Sequence, residues 1–325
     1  RAQYGLPERT ELKPSEASTA QAAYQWVKME SVISVPIGQQ AIAQGTLVKQ
    51  WQQHGRSFFH YKTSQPLRAI SAFVVVPWQA KQVQHGKVLL EMYVPEQNQS
   101  TELTMLAMQQ TLSWFEQQIS PYSGDVLRLV SMPELDSGGT GYALPQLVLI
   151  NHKVGVRARQ AADAGFSQVY RRAVHEVAHQ WFGHDMGNGV PDDGTFLVES
   201  LAKYVELVLI EQHFGHDAMS ALVAYEKERF ARAQARSKSQ PSSLIDSDES
   251  YDQYSRATLV FARLRAELGD QRITAALRQL WLKHGYPNTP ASSMDFVRQL
   301  KLASPKEQHA LIDQLLLSEK VEGLL

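Results

Sequence analysis

The apolar residues of this chain pass from a period of two in its first part to a mainly helical period later, and that change limits the fold more than any other feature. From Glu30 to Val94 they alternate: Ile33, Val35 and Ile37 stand between polar or small neighbours, and Val88, Leu90, Met92 and Val94 share one face of KVLLEMYV. Period two belongs to half-buried strands, so this region predicts antiparallel β structure with turns at Gly45, His54-Gly55 and His85-Gly86. From Ser100 onward the period is three to four. Met105, Met108, Leu112, Phe115 and Ile119 form one helical stripe, which Ser100 can cap. Two short strands, DVLRLVSM and QLVLIN, flank a glycine-rich loop ELDSGGTGYALP, and helices follow to the end. The expectation is an α+β chain in two parts, residues 1–99 closing a partial N-terminal antiparallel β domain and residues 100–325 forming a mainly helical one.

Helix ends are marked at Gly215, Gly269 and Gly285, and Ser304-Pro305-Lys306-Glu307 has the form of a capping box with proline at the first helical position. The polar stretch from about Arg232 to Asp252 reads as a surface loop. The lead-in RAQYGLPERTELKPSE has no initiator methionine and no apolar leader, which suggests a piece cut from a longer chain. Its longest apolar runs fall well short of the roughly 20 residues that cross a bilayer, so the fragment is expected to be soluble. Thirty-two basic against thirty-three acidic residues create no global field for nucleic acid or an anionic membrane. With no cysteine, disulfides, thiolate ligands and a cysteine nucleophile are all excluded.

The chemistry concentrates in RRAVHEVAHQWFGHD, Arg171 to Asp185. Residues four apart on an α-helix lie one turn above each other, so His175 and His179 can offer two imidazole nitrogens to one ion. Glu176, about 100° further round, stands beside the metal without being used as a ligand and can take a proton from water. Chance supplies such a quintet on the order of 0.02 times in a chain of this composition. A catalytic zinc takes three protein ligands and keeps one position open. Glu199, in GTFLVESLAKYVELVLIEQHFG, lies off the stripe made by Leu197, Leu201, Val205 and Val208, and a chain reversal through GNGVPDDG can return it to the metal. Two histidines and a carboxylate would also suit a non-haem iron centre, but helical HExxH with a helical carboxylate downstream favours Zn2+, one ion per chain. His152, His184, His213 and His216 read as packed or solvated histidines.

VHEVAHQWFG with the downstream FLVESLAKYVE resembles the paired zinc-helix signature of the aminopeptidase-N-like gluzincins, a zinc peptidase family. ESYDQYSRATLVFARLRAELGD is similar to the segment carrying that family's catalytic tyrosine. There Tyr254-Ser255-Arg256-Ala257 occupies a Tyr-x-Lys-Gly pattern, with Tyr251 as the competing residue. The resemblance runs from about Glu30 to Gly285 and implies a thermolysin-like catalytic part, a peptide substrate and Tyr254 as donor to the oxyanion. It also implies a substrate-binding strand at Gly141, Tyr142 and Ala143. That strand departs from the family's Gly-x-Met-Glu-Asn pattern, since Leu144 stands where a glutamate holds the substrate's free amino group. Glu134 and Asp136 are the nearby acids that could substitute. The strand GRSFFHYKT and the long gap before Glu199 resemble peptidase-like domains embedded in bacterial ABC transporter permeases. That implies a periplasmic setting between membrane segments.

The expected function is zinc-dependent peptide hydrolysis by His175, His179, Glu199, Glu176 and Tyr254. The alternative is an extracytoplasmic permease domain that grips peptides without turnover.

Overall fold

Alternation becomes sheet structure because every second side chain of a strand meets the same face. The structure, a computed structural model, describes residues 25–132, 141–152, 165–187, 189 and 195–319. The lead-in before residue 25, together with Glu134 and Asp136, lies outside them. The first strands are β1 (Trp26–Val27), β2 (Glu30–Pro36), β3 (Gln40–Ala43), β4 (Thr46–Gln53), β5 (Arg56–Lys62), β6 (Leu67–Arg68) and β7 (Phe73–Val76). They pair antiparallel, with β5 between β2 and β4, β3 with β7, and β1 with β6. Phe59 and Tyr61 of β5 share a small core with Val35, Ala41 and Ala43. The Tyr61 hydroxyl donates to the Ala41 carbonyl at 2.7 Å. Gly45 turns from β3 to β4 at φ 87°, and a β-carbon there would lie 2.5 Å from the Lys62 carbonyl carbon. Only glycine satisfies both conditions.

A second, five-stranded sheet has the order β11-β12-β10-β9-β8, built from β8 (Ala80–His85), β9 (Val88–Tyr93), β10 (Val126–Met132), β11 (Gly141–Leu144) and β12 (Leu147–Asn151). The inner strands β9, β10 and β12 run parallel, and the edges β8 and β11 run antiparallel to their neighbours. Hydrogen bonding thus joins β8 and β9, which precede residue 99, to strands that come after it. The glycine-rich segment expected to be a loop contains β11, because a short exposed edge strand tolerates glycine and has no alternation to betray it.

Helices cover this sheet and then pack on one another: α1 (Gln99–Gln118), α2 (Gln168–Ala178), α3 (Leu201–Phe214), α4 (His216–Gln234), α5 (Ala257–Leu268), α6 (Asp270–His284), α7 (Ser293–Leu302) and α8 (His309–Leu317). The stripe of α1 is buried as its spacing requires. Its cap is Asn98 rather than Ser100: Asn98 and Thr101 bond reciprocally, and Ser100 falls inside the first turn. Ser304 does not cap either. The chain enters α8 through Pro305 and a 3-10 turn at Lys306–Gln308. The stretch expected as a surface loop begins inside α4 and later buries Leu244 and Ile245 in the main core. Among the described residues no helix is long and apolar enough to cross a membrane.

Arg128 of β10 ties the two sheet systems together. It is 1% exposed, its Nε donates to Glu91 at 2.5 Å, and its Nη1 donates to the carbonyls of Ala43 and Gly45 at 2.9 and 2.6 Å. Removing one partner of a buried pair strands the other charge. Arg128→Ala is expected to lower the unfolding free energy by about 3–5 kcal/mol, read from urea denaturation, and a loss near zero would deny this linkage.

Candidate metal centre and active site

His175 and Glu176 lie within α2, whereas His179, Glu199 and Tyr254 each sit on or next to a widened helical turn. His179 ends α2 and leads into Gln180–Asp185, where Phe182 and Gly183 leave helical geometry and Gly183 has φ 122°. Glu199 lies on the π-helical turn Phe196–Ser200 before α3, and Tyr254 on the π-helical turn Asp252–Arg256 before α5. A π turn inserts a residue and rotates the downstream helix relative to the apolar stripe. Glu199 and Tyr254 therefore turn towards α2 while α3 and α5 keep their buried faces.

The structure brings His175, His179 and Glu199 together, with one ligand atom of each within 4.8 Å of the other two. Oε2 of Glu199 lies 3.0 Å from Nε2 of His175 and 3.6 Å from Nε2 of His179. Ligands at about 2.1 Å from a tetrahedral ion stand roughly 3.4 Å apart, so the donor set fits zinc in both type and spacing. His179 Nδ1 donates to the Phe182 carbonyl at 3.2 Å, which assigns the lone pair to Nε2, on the metal side. Burial, with the charge of His175 second, lowers the His179 pKa to about 4 and keeps the ring neutral. His175 behaves oppositely. Burial pushes its pKa down, but hydrogen bonds with Glu199 and Glu206 outweigh that and hold it at about 10, marking a position that favours positive charge.

Glu176 is buried beside these ligands, and that burial raises its carboxyl to about 7 against the opposing charge of His175. Gly141 of β11 packs directly on it: a β-carbon at Gly141 would come within 2.5 Å of Glu176 Oε1. Tyr254 has its ring centroid 5.7 Å from that of His175, and burial followed by the neighbouring Glu199 charge raises its phenol pKa. Tyr251 also reaches the cleft, but its hydroxyl donates to Ser237 at 3.2 Å. Tyr142, Ala143 and Leu144 of β11 line the same cleft of about 1000 Å³. The other histidines scatter: His213 stacks on Tyr170, His216 pairs with Glu211, and His152 meets Ser131. His184 is buried in the cleft wall.

Sequence reasoning missed a charge network behind the metal ligands. Glu206 Oε1 lies 2.8 Å from His175 Nδ1, on the side of the ring away from Glu199. Its other oxygen takes Lys203 at 2.5 Å and Arg171 at 3.5 Å. Arg171 continues to Glu226 of α4 at 2.5 Å, which also accepts from Ser255 at 2.6 Å. The available signal was spacing, since Glu199, Lys203 and Glu206 stand at i, i+4 and i+7, on one side of the helix.

Residues 103–315 match the family model described as Peptidase family M1 domain. A curated relative, Aminopeptidase N of Haemonchus contortus, is 29% identical over 136 residues, which cover 39% of this chain and 14% of that protein. The M1 zinc metallopeptidase of Deinococcus radiodurans superposes with a TM-score of 0.69 at 18% identity, over 93% of this chain and 66% of that one. Its mutant bound to a Tyr-Ser-Ala substrate gives 0.68 at the same identity and coverage. The chain thus spans under two thirds of each relative's length.

Because the second carboxylate orients a ligand histidine, Glu206→Gln is expected to weaken divalent-metal affinity roughly 10–100-fold, measured by competition with a chelating indicator. Unchanged affinity would remove Glu206 from the centre.

Proposed function

Because this chain belongs to peptidase family M1, we propose that it hydrolyses peptides with a zinc ion held by His175, His179 and Glu199. The observation that carries this reading is the convergence of those three ligand atoms within 4.8 Å of one another, beside a buried glutamate and the β11 edge strand. Catalysis is assigned to the mainly helical part from residue 100 onward together with β8 and β9, which belong to its sheet, with strands β1 to β7 forming the β part beside it. Zinc bound there supplies Lewis acidity towards the scissile carbonyl and acidifies water.

The remaining steps belong to the chain. The substrate backbone lies along the edge of β11, unpaired among the described residues, where Gly141, Tyr142 and Ala143 offer main-chain groups for strand addition. Glu176 takes a proton as water oxygen bonds to the carbonyl carbon. It returns that proton to the amide nitrogen as the carbon–nitrogen bond breaks, and its raised pKa suits it to both transfers. The Tyr254 phenol keeps its proton at neutral pH and donates to the oxyanion. Leu144 leaves this edge without a carboxylate for an α-ammonium, so aminopeptidase action is not implied by β11 itself.

A second reading rests on the same Leu144: a periplasmic module of an ABC transporter permease, with membrane segments on either side, that grips peptides without turnover. The resemblance of GRSFFHYKT to such domains supports it. Recovery of intact peptides from zinc-loaded protein favours this reading, and cleavage favours the first.

Glu176→Gln is expected to retain one zinc per chain while peptide turnover falls on the order of 10²–10⁴-fold. A variant with parental activity would refute the role of Glu176. Metal analysis of Glu199→Ala should show substoichiometric zinc, and full occupancy would exclude it as a ligand. Gly141→Ala forces a methyl group onto Glu176. Turnover should drop about tenfold or more at unchanged zinc content, and normal kinetics would mean that the strand and Glu176 are not in register.

A further inference from the structure

The cleft has two unlike walls. One is β11, whose Gly141, Tyr142, Ala143 and Leu144 present backbone and apolar surface with no charge. From there α2 packs on β11, α3 on α2 and α4 on α3, so α4 forms a different wall of the same cleft. Tyr225, Arg229, Arg232 and Arg236 line that wall. Their positions, i, i+4, i+7 and i+11, describe one face of α4 continued just past its last turn.

These arginines differ in how firmly they are held. Arg229 is tied to the buried Glu226, 3.0 Å from each of its oxygens. Arg232 pairs, among the described residues, with Glu228 at 3.4 Å, a pair in which both side chains are more than half exposed and therefore readily exchanged. Arg236 is exposed and makes no ion pair among the described residues. Arg172, one turn before the ligand His175, also lines the cleft, and burial followed by the neighbouring Arg171 charge lowers its pKa to about 10. The acids that line the cleft, Glu176, Glu199 and Glu206, are all committed to the centre already described. Glu226 and Glu228 of α4 answer Arg229 and Arg232 in part, but neither lines the cleft, and among the described lining residues no further acid faces these cations.

We propose that Arg232 and Arg236, backed by Arg229 and Arg172, form a carboxylate-binding subsite that selects peptides bearing a negative charge away from the scissile bond. This deepens the peptidase reading and rests on it. A peptide laid along β11 with its scissile carbonyl at the His175–His179–Glu199 centre runs on past α2 and α3 towards α4. There a guanidinium meets a carboxylate in a two-pronged, charge-assisted contact. A free C-terminal carboxylate and an Asp or Glu side chain offer the same group. With no anion on β11, this wall supplies the electrostatic selection among substrates.

The test measures binding to the zinc-loaded Glu176→Gln chain by fluorescence anisotropy, using labelled hexapeptides of neutral residues. One arm compares a free C-terminal carboxylate with its amide, and the other compares an internal Asp with Asn in the amidated peptide. In at least one arm the charged member should bind roughly tenfold tighter, with the ratio shrinking as salt rises. The arm that responds identifies the source of the carboxylate. Adding Arg232→Gln and Arg236→Gln, both at exposed positions, should bring that ratio to about one, whereas Arg56→Gln, outside the cleft, should not. Equal affinities for charged and neutral peptides, a ratio that survives the double substitution, or no binding of any peptide overturns the subsite. Cleavage by the parent chain is scored separately. Charge selection without cleavage leaves the subsite standing and removes the peptidase reading, and cleavage without charge selection does the reverse.

Discussion

The geometry of this centre depends on keeping four opposite charges out of water at one spot. Arg171 and Lys203 face Glu206 and Glu226, each side chain less than 10% exposed. Two cations and two anions leave no net charge, so the large cost of burying each is offset by its neighbours rather than by solvent. These residues come from α2, α3 and α4, and Ser255 adds the turn before α5 through its bond to Glu226. One network therefore fixes the helices that carry both histidines, Glu199 and Tyr254. It also presents Glu206 to the back of His175, so the ring is oriented by the same contacts that hold the helices together.

Widened turns convert this packing into convergence. A regular helix through Phe196 and Leu201 would place Glu199 by the 3.6-residue rule alone. The extra residue in that turn lets Leu197 and Leu201 stay fully buried while Glu199 reaches both histidines. Tyr254 gains its position the same way, with Ala257 and Val260 buried behind it. The local irregularity lies where side chains of different helices must meet, and the regular segments between them supply the core.

Much of this was legible from spacing. His175, Glu176 and His179 follow from helical geometry alone, and Glu199 from the need for a third ligand off the apolar stripe. Tyr254 came only through family resemblance, since nothing in its periodicity separates it from Tyr251. Glu206 escaped because it sits inside YVELVLI, where a single acid among apolar residues looks like an interruption rather than a buried partner. The β11 strand was visible only through the family resemblance, because four residues rich in small side chains carry no alternation to read and composition alone marks a loop. Ser100 is a good cap residue by type, but the helix starts two residues earlier, where Asn98 and Thr101 bond reciprocally. In each miss a tertiary contact decided between locally equivalent options.

The N-terminal sheets bear on the site as well. Gly45 donates to the side-chain oxygen of Gln146 at 2.8 Å, and Gln146 donates its backbone N–H to Gln180 at the same distance. Gln180 in turn donates to the Leu144 carbonyl at 3.1 Å. Arg68 of β6 donates to the Gly183 carbonyl in the turn just after His179. These bonds run from the β3–β4 turn through the β11–β12 turn to the residue after the second ligand histidine. The β11 edge and the chain leaving α2 are thus referenced to one another through the β part. Gly45 must be glycine for its turn to approach Lys62, and that approach sets its N–H against Gln146. A residue more than a hundred positions before the metal motif thereby helps fix the distance between Gly141 and Glu176.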